Sequence, residues 1–252
     1  MHRFIVPPQS LGSGRLLLDK KESHHARDVL RVKPGEVVEL MDGHGASARA
    51  VIAGFEDGRV ALTVDKRRES PLSGPKFTVG AGVIKPERME WMLEKCCELG
   101  ASAWLPILTE RSVVKISRER WQGKSERWRK IAQETCKQCG QSQVPEVREP
   151  ESFKVLVKRI ADYDLALLPT LAEPGPTLEE ALLQNKKAQK VLFLIGPEGD
   201  FTPQEVRMAV EAGAVPVTLG ALVLRSETAA VYTLSAARSF FASCALAGDK
   251  KK

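Results

Sequence analysis

The 252-residue chain is poor in aromatic side chains, at 6% Phe, Trp and Tyr, and holds only two Tyr. Its four histidines stand at positions 2, 24, 25 and 44, with none beyond. A histidine-activated nucleophile in the larger, C-terminal part of the chain is therefore excluded. Five cysteines, an odd number, do not make a secreted disulfide framework. Cys136-x-x-Cys139 has no second pair at metal spacing, so a helical face is the better reading and no metal is expected. Cys96-Cys97 reads as core. No apolar run approaches the roughly 18 residues of a membrane span, and Met1–Pro8 lacks a signal-peptide apolar region, so a cytoplasmic protein without a membrane partner is expected. Neither a Gly-rich dinucleotide fingerprint after a strand nor a P-loop occurs, which disfavours a phosphate-anchored nucleotide. A ligand held by backbone groups of several loops stays open. Repeats and low-complexity segments are also lacking.

What is present fits a soluble globular chain, 43% hydrophobic and 28% charged, long enough for two domains. Its net charge of +6 is unevenly placed. Residues 111–148 hold ten Lys and Arg against four Glu, while the remaining 28 basic side chains meet 28 acidic ones. Clustered basic charge suits a polyanion; a charge run alone is more often a solvated helix face.

Residues 1–65 read as a small β domain of five or six strands. Val37–Met41, Ala48–Phe55 and Arg59–Val64 are apolar-rich runs, and Asp57-Gly58 is a strong hairpin signal. A short helix is expected from Ser23, as N-cap, through His24 to Arg31, ended by Pro34-Gly35. Lys66–Pro75, with two prolines and a glycine, reads as a linker. Thereafter short apolar strands alternate with helices: Phe77–Ile84, a helix from Pro86 to Gly100, Ala103–Leu108, and a basic helix from Glu119 to Cys139 broken or frayed at Gly123. Then come Asp164–Leu168, a helix near Thr177, Val191–Ile195, a helix at Thr202, Val215–Leu219, and a last helix over 227–247. Such alternation implies a parallel sheet covered on both faces.

Ligands of open α/β sheets bind outside the carboxyl ends of the strands. Three loops lie there. Pro169-Thr170 is one. Gly196-Pro197-Glu198-Gly199 is a second, before the capping box Thr202-Pro203-Gln204-Glu205; a plain β–α connection explains it equally well. The third, 220–229, carries apolar Leu222, Val223 and Leu224 where a polar connection is the norm, so the loop is expected to be buried or to cover a ligand. Glu227 suits a helix N-terminus by dipole alone. Arg225 does not, and an anionic substrate or developing negative charge would explain it.

Gly196-Pro197-Glu198-Gly199, Leu219-Gly220 and Leu224-Arg225-Ser226-Glu227-Thr228-Ala229 resemble the cofactor loops of SPOUT-class RNA methyltransferases. The closer resemblance is to the RsmE family, the 16S ribosomal RNA uridine-N3 methyltransferases, and it covers almost the whole chain. Met1–Phe4, His24-His25 with Val29-Leu30-Arg31, and Asp42–Gly45 resemble its PUA-like RNA-binding domain. Lys85 through Glu98-Leu99-Gly100, Pro106, Glu110-Arg111-Ser112, Gln138–Gln141 and Val144-Pro145 resemble its catalytic domain. The family often has a second glycine where this chain has Asp200.

The resemblance implies a PUA-like β-barrel over 1–70, a trefoil-knotted SPOUT α/β domain with a mostly parallel sheet over 71–252, and a homodimer. Ala229, Ala230, Phe240 and Phe241 of the last helix would pack at its interface. It implies S-adenosylmethionine as cofactor, bound by Leu168, Pro169, Ile195, Gly196, Pro197, Glu198, Gly199, Leu219, Gly220, Leu222, Leu224, Thr228 and Ala229. The partner would be 16S rRNA or the small ribosomal subunit, held by Arg3, His24, His25, Arg31, Arg111, Arg118, Arg127 and Arg129. Trp121 and Trp128, seven apart, would stack bases or pack in the core. Arg225 would stabilise charge on the target uracil or position the target nucleotide's phosphate, with Glu198 and Glu227 as candidate bases. A non-catalytic RNA-binding or ribosome-assembly protein, and an α/β enzyme acting on a small anionic metabolite, remain alternatives. Replacing Arg118, Arg127 and Arg129 together is expected to weaken RNA binding and flatten its salt dependence in a binding series over ionic strength; unchanged binding would contradict an RNA role for this segment.

Overall fold

The computed structural model describes residues 1–12, 14–69, 72–112 and 118–249, with backbone only for 118–120 and 247–249. The linker residues Ser70 and Pro71 and the Lys250–Lys252 tail lie outside the described residues. The chain divides into two compact units, Met1–Leu72 with Gln133–Val144, and Ser73–Ala132 with Pro145–Lys252.

The first unit is built on a six-stranded sheet of β1 (Arg3–Ile5), β2 (Arg15–Leu17), β3 (Val37–Met41), β4 (Ala46–Glu56), β5 (Arg59–Val64) and β6 (Arg68–Glu69). The order is β1-β3-β4-β5-β2, with β6 on β4. Only the β1–β3 pairing is parallel. In β4 the residues Ala48, Ala50 and Ile52 are buried and Arg49 and Val51 are exposed, the period-2 pattern of a half-buried strand. Glu56 pairs Arg59 across Asp57-Gly58, and both turn residues take positive φ, +46° and +75°. That is the backbone twist which joins two antiparallel strands by two residues.

The short helix α1 spans Lys20–His24, with a wider turn over His25–Val29. Its N-cap is Asp19, whose carboxylate accepts from the Glu22 amide at 2.8 Å, not Ser23. Ser23 is fully buried inside the helix. Its hydroxyl donates to the Leu18 carbonyl (3.1 Å) and accepts from the Val60 amide (3.0 Å), pinning α1 to β5.

The second unit contains β7 (Lys76–Gly82), α2 (Pro86–Glu98), β8 (Ala103–Leu108), most of α3 (Arg118–Cys139), β9 (Glu146–Val147), β10 (Glu151–Ser152) and α4 (Phe153–Val157). It continues with β11 (Leu165–Pro169), α5 (Leu178–Gln184), β12 (Lys190–Ile195), α6 (Pro203–Glu211), β13 (Val215–Val217) and α7 (Ser226–Asp249). The strands run β10-β8-β7-β12-β11-β13, with β9 on β8, and every pairing is parallel. From β7 the chain first adds strands on one side and then, from β11 on, on the other. The switch lies between β7 and β12, and the crevice outside their carboxyl ends is where this architecture takes ligands. By length and composition Ser226–Leu246 would suffice to cross a membrane; here it packs on α2, β12 and β7.

Helix α3 is continuous through Gly123, where a break was expected. The roughly 1 kcal/mol that glycine costs a helix is outweighed by burial of Trp121, Ser125 and Trp128 on one face. Its last turn belongs to the first unit. There the Arg3 guanidinium donates to the Lys137 and Gln138 carbonyls, at 3.0 and 2.9 Å, and pairs with Glu39 at 2.8 Å. Gly140, at φ +83°, admits that guanidinium, since a Cβ there would lie 2.8 Å from it. A cation on orphan C-terminal carbonyls is favourable by hydrogen bonding and by dipole. Lys137 pairs with Glu22 and Glu134, at 3.2 and 2.9 Å, which together hold its ammonium pKa above the ordinary value despite burial. Replacement of Arg3 by Ala is expected to destabilise the protein by about 1.5–3 kcal/mol in denaturant unfolding and to speed amide exchange at Gly140 and Gln141; Arg3→Lys recovers little, because one ammonium cannot span two carbonyls and Glu39.

Candidate active site

The loop after β12 is shaped by what surrounds it. A Cβ on Gly82, at the end of β7, would lie 2.7 Å from the Pro197 nitrogen, so the central strand ends where only glycine lets the loop close over it. Asp200 adopts the left-handed region at φ +58°. Its amide donates to the Pro197 carbonyl (2.9 Å), its Oδ1 accepts from the Phe201 amide (2.7 Å), and its Oδ2 accepts from the Thr170 hydroxyl (3.2 Å). Asp tolerates this backbone better than most residues, so the turn forms without the glycine expected here, and the carboxylate adds a tie to the loop after β11.

Glu205 completes the frame. It is buried, and its Oε2 accepts from the Thr202 amide (2.9 Å) as the return half of a capping box. Its Oε1 accepts from the Glu110 amide, also at 2.9 Å, in the loop after β8. From that same loop Arg111 donates to the Gly199 carbonyl at 2.7 Å. Three loops are thus tied to one another by side chains that the sequence reading had placed elsewhere or used only for capping.

Between the loops lies a cavity of about 430 Å³, within the size range of small-ligand sites. Its wall includes Pro169, Ile195, Gly196, Pro197, Glu198, Gly199, Leu219, Gly220, Leu222, Leu224, Arg225 and Ala229 of the expected set. Thr170, Val223 and Ser226, which belong to the candidate loops, also line it, as do Leu171 and Asp200. Leu168 does not: it is fully buried among Phe153, Leu194 and Phe201, a core position one residue before the strand reaches the cavity. Thr228 is exposed on α7 and is not part of the wall. The loop over 220–224 is not buried either. Leu222 and Val223 are 77% and 76% exposed, and Leu171 68%. Three large apolar side chains left in water around one concavity mark a surface that a ligand or partner covers.

The two candidate bases differ. Glu198 lines the cavity; Glu227 does not, and its Oε2 is buried with no hydrogen-bond partner among the described residues. Arg88, in the first turn of α2, stands between them, 3.9 Å from Glu198 Oε1 and 3.8 Å from Glu227 Oε1. Sequence reading missed it, because nothing in the spacing from 88 to 198 and 227 signals the pairing.

The residues expected to contact RNA have different surroundings. Arg3 caps α3, and Arg111 holds the Gly199 loop. Arg127 pairs with Glu90, which raises its pKa, and Arg129 pairs with Glu149 at 2.8 Å. His24 is exposed beside Asp28, Arg31 is exposed, His25 is half-buried, and the Arg118 side chain lies outside the described residues. Trp121 and Trp128 are buried with ring centroids 5.7 Å apart, so they pack on each other and are not open to bases. Cys96 is fully buried, which pushes its thiol up to about 12 and agrees with a core role.

Comparison with known proteins bears on the same loops. Residues 70–238 match the RNA methyltransferase domain family, and residues 18–65 match the RNA methyltransferase PUA domain family. Ribosomal RNA small subunit methyltransferase E of Bacillus subtilis is 32% identical over 224 residues, 86% of each chain. The crystal structure of ribosomal RNA small subunit methyltransferase E from Neisseria gonorrhoeae bound to S-adenosyl methionine superposes with a TM-score of 0.85 at 28% identity, over 96% of this chain and 98% of that one. A Legionella pneumophila methyltransferase in complex with the bound cofactor SAM gives a TM-score of 0.83 at 31% identity, over 94% and 96%. Replacing Glu205 by Ala is expected to leave the Glu110 and Thr202 amides unpaired and to cost about 2–4 kcal/mol, read as a lowered thermal midpoint; Glu205→Gln, with one acceptor oxygen, is expected to fall between.

Proposed function

The chain belongs to the ribosomal RNA small subunit methyltransferase E family, and we propose that it methylates N3 of a uridine in 16S rRNA of the small ribosomal subunit, using S-adenosylmethionine. The observation that carries the reading is the cavity at the carboxyl ends of β11, β12 and β13, with exposed Leu171, Leu222 and Val223 beside Glu198 and Asp200. Apolar walls suit an adenosyl group, and an excess of carboxylates suits a sulfonium, so the residues present fit the cofactor. When bound, S-adenosylmethionine supplies an electrophilic methyl group on a cationic sulfur.

The chain's own residues have two tasks. N3 of uracil carries a weakly acidic proton that an acceptor must hold or remove, and Glu198, which lines the cavity, would do so. Deprotonation spreads charge onto the flanking carbonyl oxygens, and the Arg225 guanidinium, on the same wall, would stabilise it where water is excluded. Glu227, with one oxygen buried, is the weaker candidate.

The proposal includes a cytoplasmic homodimer with a trefoil-knotted chain path, the PUA-like domain of 1–70 recognising RNA and 71–252 binding the methyl donor. Ala230 and Phe241 are core residues of this unit, with the Phe241 ring 6.0 Å from that of Phe77, so they do not form the dimer face. Among the described residues of α7, Tyr232 and Leu246 are the large exposed hydrophobic side chains and take that place. Arg225→Ala is expected to slow methyl transfer to small subunits by about 100-fold while calorimetric S-adenosylmethionine affinity changes only a few-fold. Near-normal transfer would falsify the role of Arg225.

A further inference from the structure

Arg88 has no place in the mechanism above, yet its position is unusual. Among the described residues its guanidinium makes two ion pairs, at 3.9 Å to Glu198 and 3.8 Å to Glu227, both beyond hydrogen-bond length. It makes no hydrogen bond to the described residues, and its side chain remains 37% exposed. A guanidinium has five N–H donors in a planar fork and is most stable when they are directed at oxygen acceptors. Here they are held beside the cavity wall by two carboxylates and left without close acceptors.

We propose that Arg88 is a substrate-contacting residue that, with Glu198, reads the edge of the target uracil. That edge presents a carbonyl oxygen, the N3–H and a second carbonyl oxygen. Arg88 donates to one carbonyl and Glu198 Oε1 accepts from N3–H beside it. An acceptor at position 3 flanked by a donor matches uracil and not cytosine, whose N3 is itself an acceptor. A site whose polar groups are left unpaired by the wrong base discriminates strongly. The mixed charge also selects the kind of ligand. A phosphate at Arg88 would sit within a few ångströms of two carboxylates and be repelled, whereas a neutral base that both donates and accepts satisfies both signs. Arg88 is thus assigned to the base and not to the RNA backbone.

The inference rests on the uridine-N3 reading, and the test separates the two. Small ribosomal subunits lacking the modification are incubated with isotopically labelled S-adenosylmethionine and wild-type protein, Arg88→Gln or Arg88→Lys, and the labelled nucleoside is identified. Single-turnover rates at saturating subunit, subunit affinity over a salt series, and calorimetric S-adenosylmethionine affinity are measured for each. Wild-type is expected to form N3-methyluridine. Arg88→Gln is expected to lose about 100-fold in saturated rate, with donor and subunit affinities within about three-fold, and Arg88→Lys to recover part of the rate. A wild-type label at another atom, or none, overturns the N3 reading and this inference with it. N3-methyluridine from wild-type with an unchanged rate in Arg88→Gln overturns the inference alone. So does a loss confined to subunit affinity with a flattened salt slope, which would place Arg88 on phosphate, or a parallel loss of donor affinity, which would make it structural.

Discussion

The carboxylate of Glu205 is the contact on which the candidate site depends. It is buried and accepts two backbone amides, one at the start of α6 and one in the loop after β8, so the turn over 196–201 is anchored on the side away from the cavity. Gly82 lets that turn lie directly on the end of β7, and Asp200 ties it to Thr170. A site made of three loops gains its rigidity from such ties. Without them each loop would lose order on its own, and the cavity would have no fixed wall.

The rigid side faces an unfinished one. Leu171, Leu222 and Val223 stand exposed, on loops that bring no core residues of their own. Water is a poor solvent for such a wall, so binding an adenosyl group recovers hydrophobic free energy that folding leaves unrealised. Preformed backbone on one side and an apolar flap on the other is a physical basis for holding S-adenosylmethionine without the glycine-rich phosphate cradle of other nucleotide sites. Glu198, Asp200 and Arg225 add charge to that wall, and Arg88 stands next to Glu198.

Much of this was legible in the residues. The strands β3, β5 and β8 lie where apolar runs placed them, and the Thr202 capping box was readable because its signal is local. What escaped depends on tertiary pairing. Nothing in Ser23 distinguishes an N-cap from a buried hydroxyl bridging α1 to β5. Arg3 reads as a free cation until the end of α3 arrives beside it. Leu168 and Pro169 are neighbours in one buried strand, and only the neighbouring core tells which of them meets the cavity. Gly123 suggested a break that two buried tryptophans override. The excess of basic charge was real, but Arg111, Arg127 and Arg129 each have protein partners, so charge counting overstated how much of the segment is free.

The central claim is that these loops direct a methyl group to N3 of a uridine in the small ribosomal subunit. The most direct measurement is the fate of an isotopically labelled methyl group after incubation of the protein with S-adenosylmethionine and unmodified small subunits, read by digestion of the rRNA to nucleosides and mass spectrometry. The account predicts label in N3-methyluridine at a single position. Label in any other nucleoside, or bound donor without transfer, would contradict it.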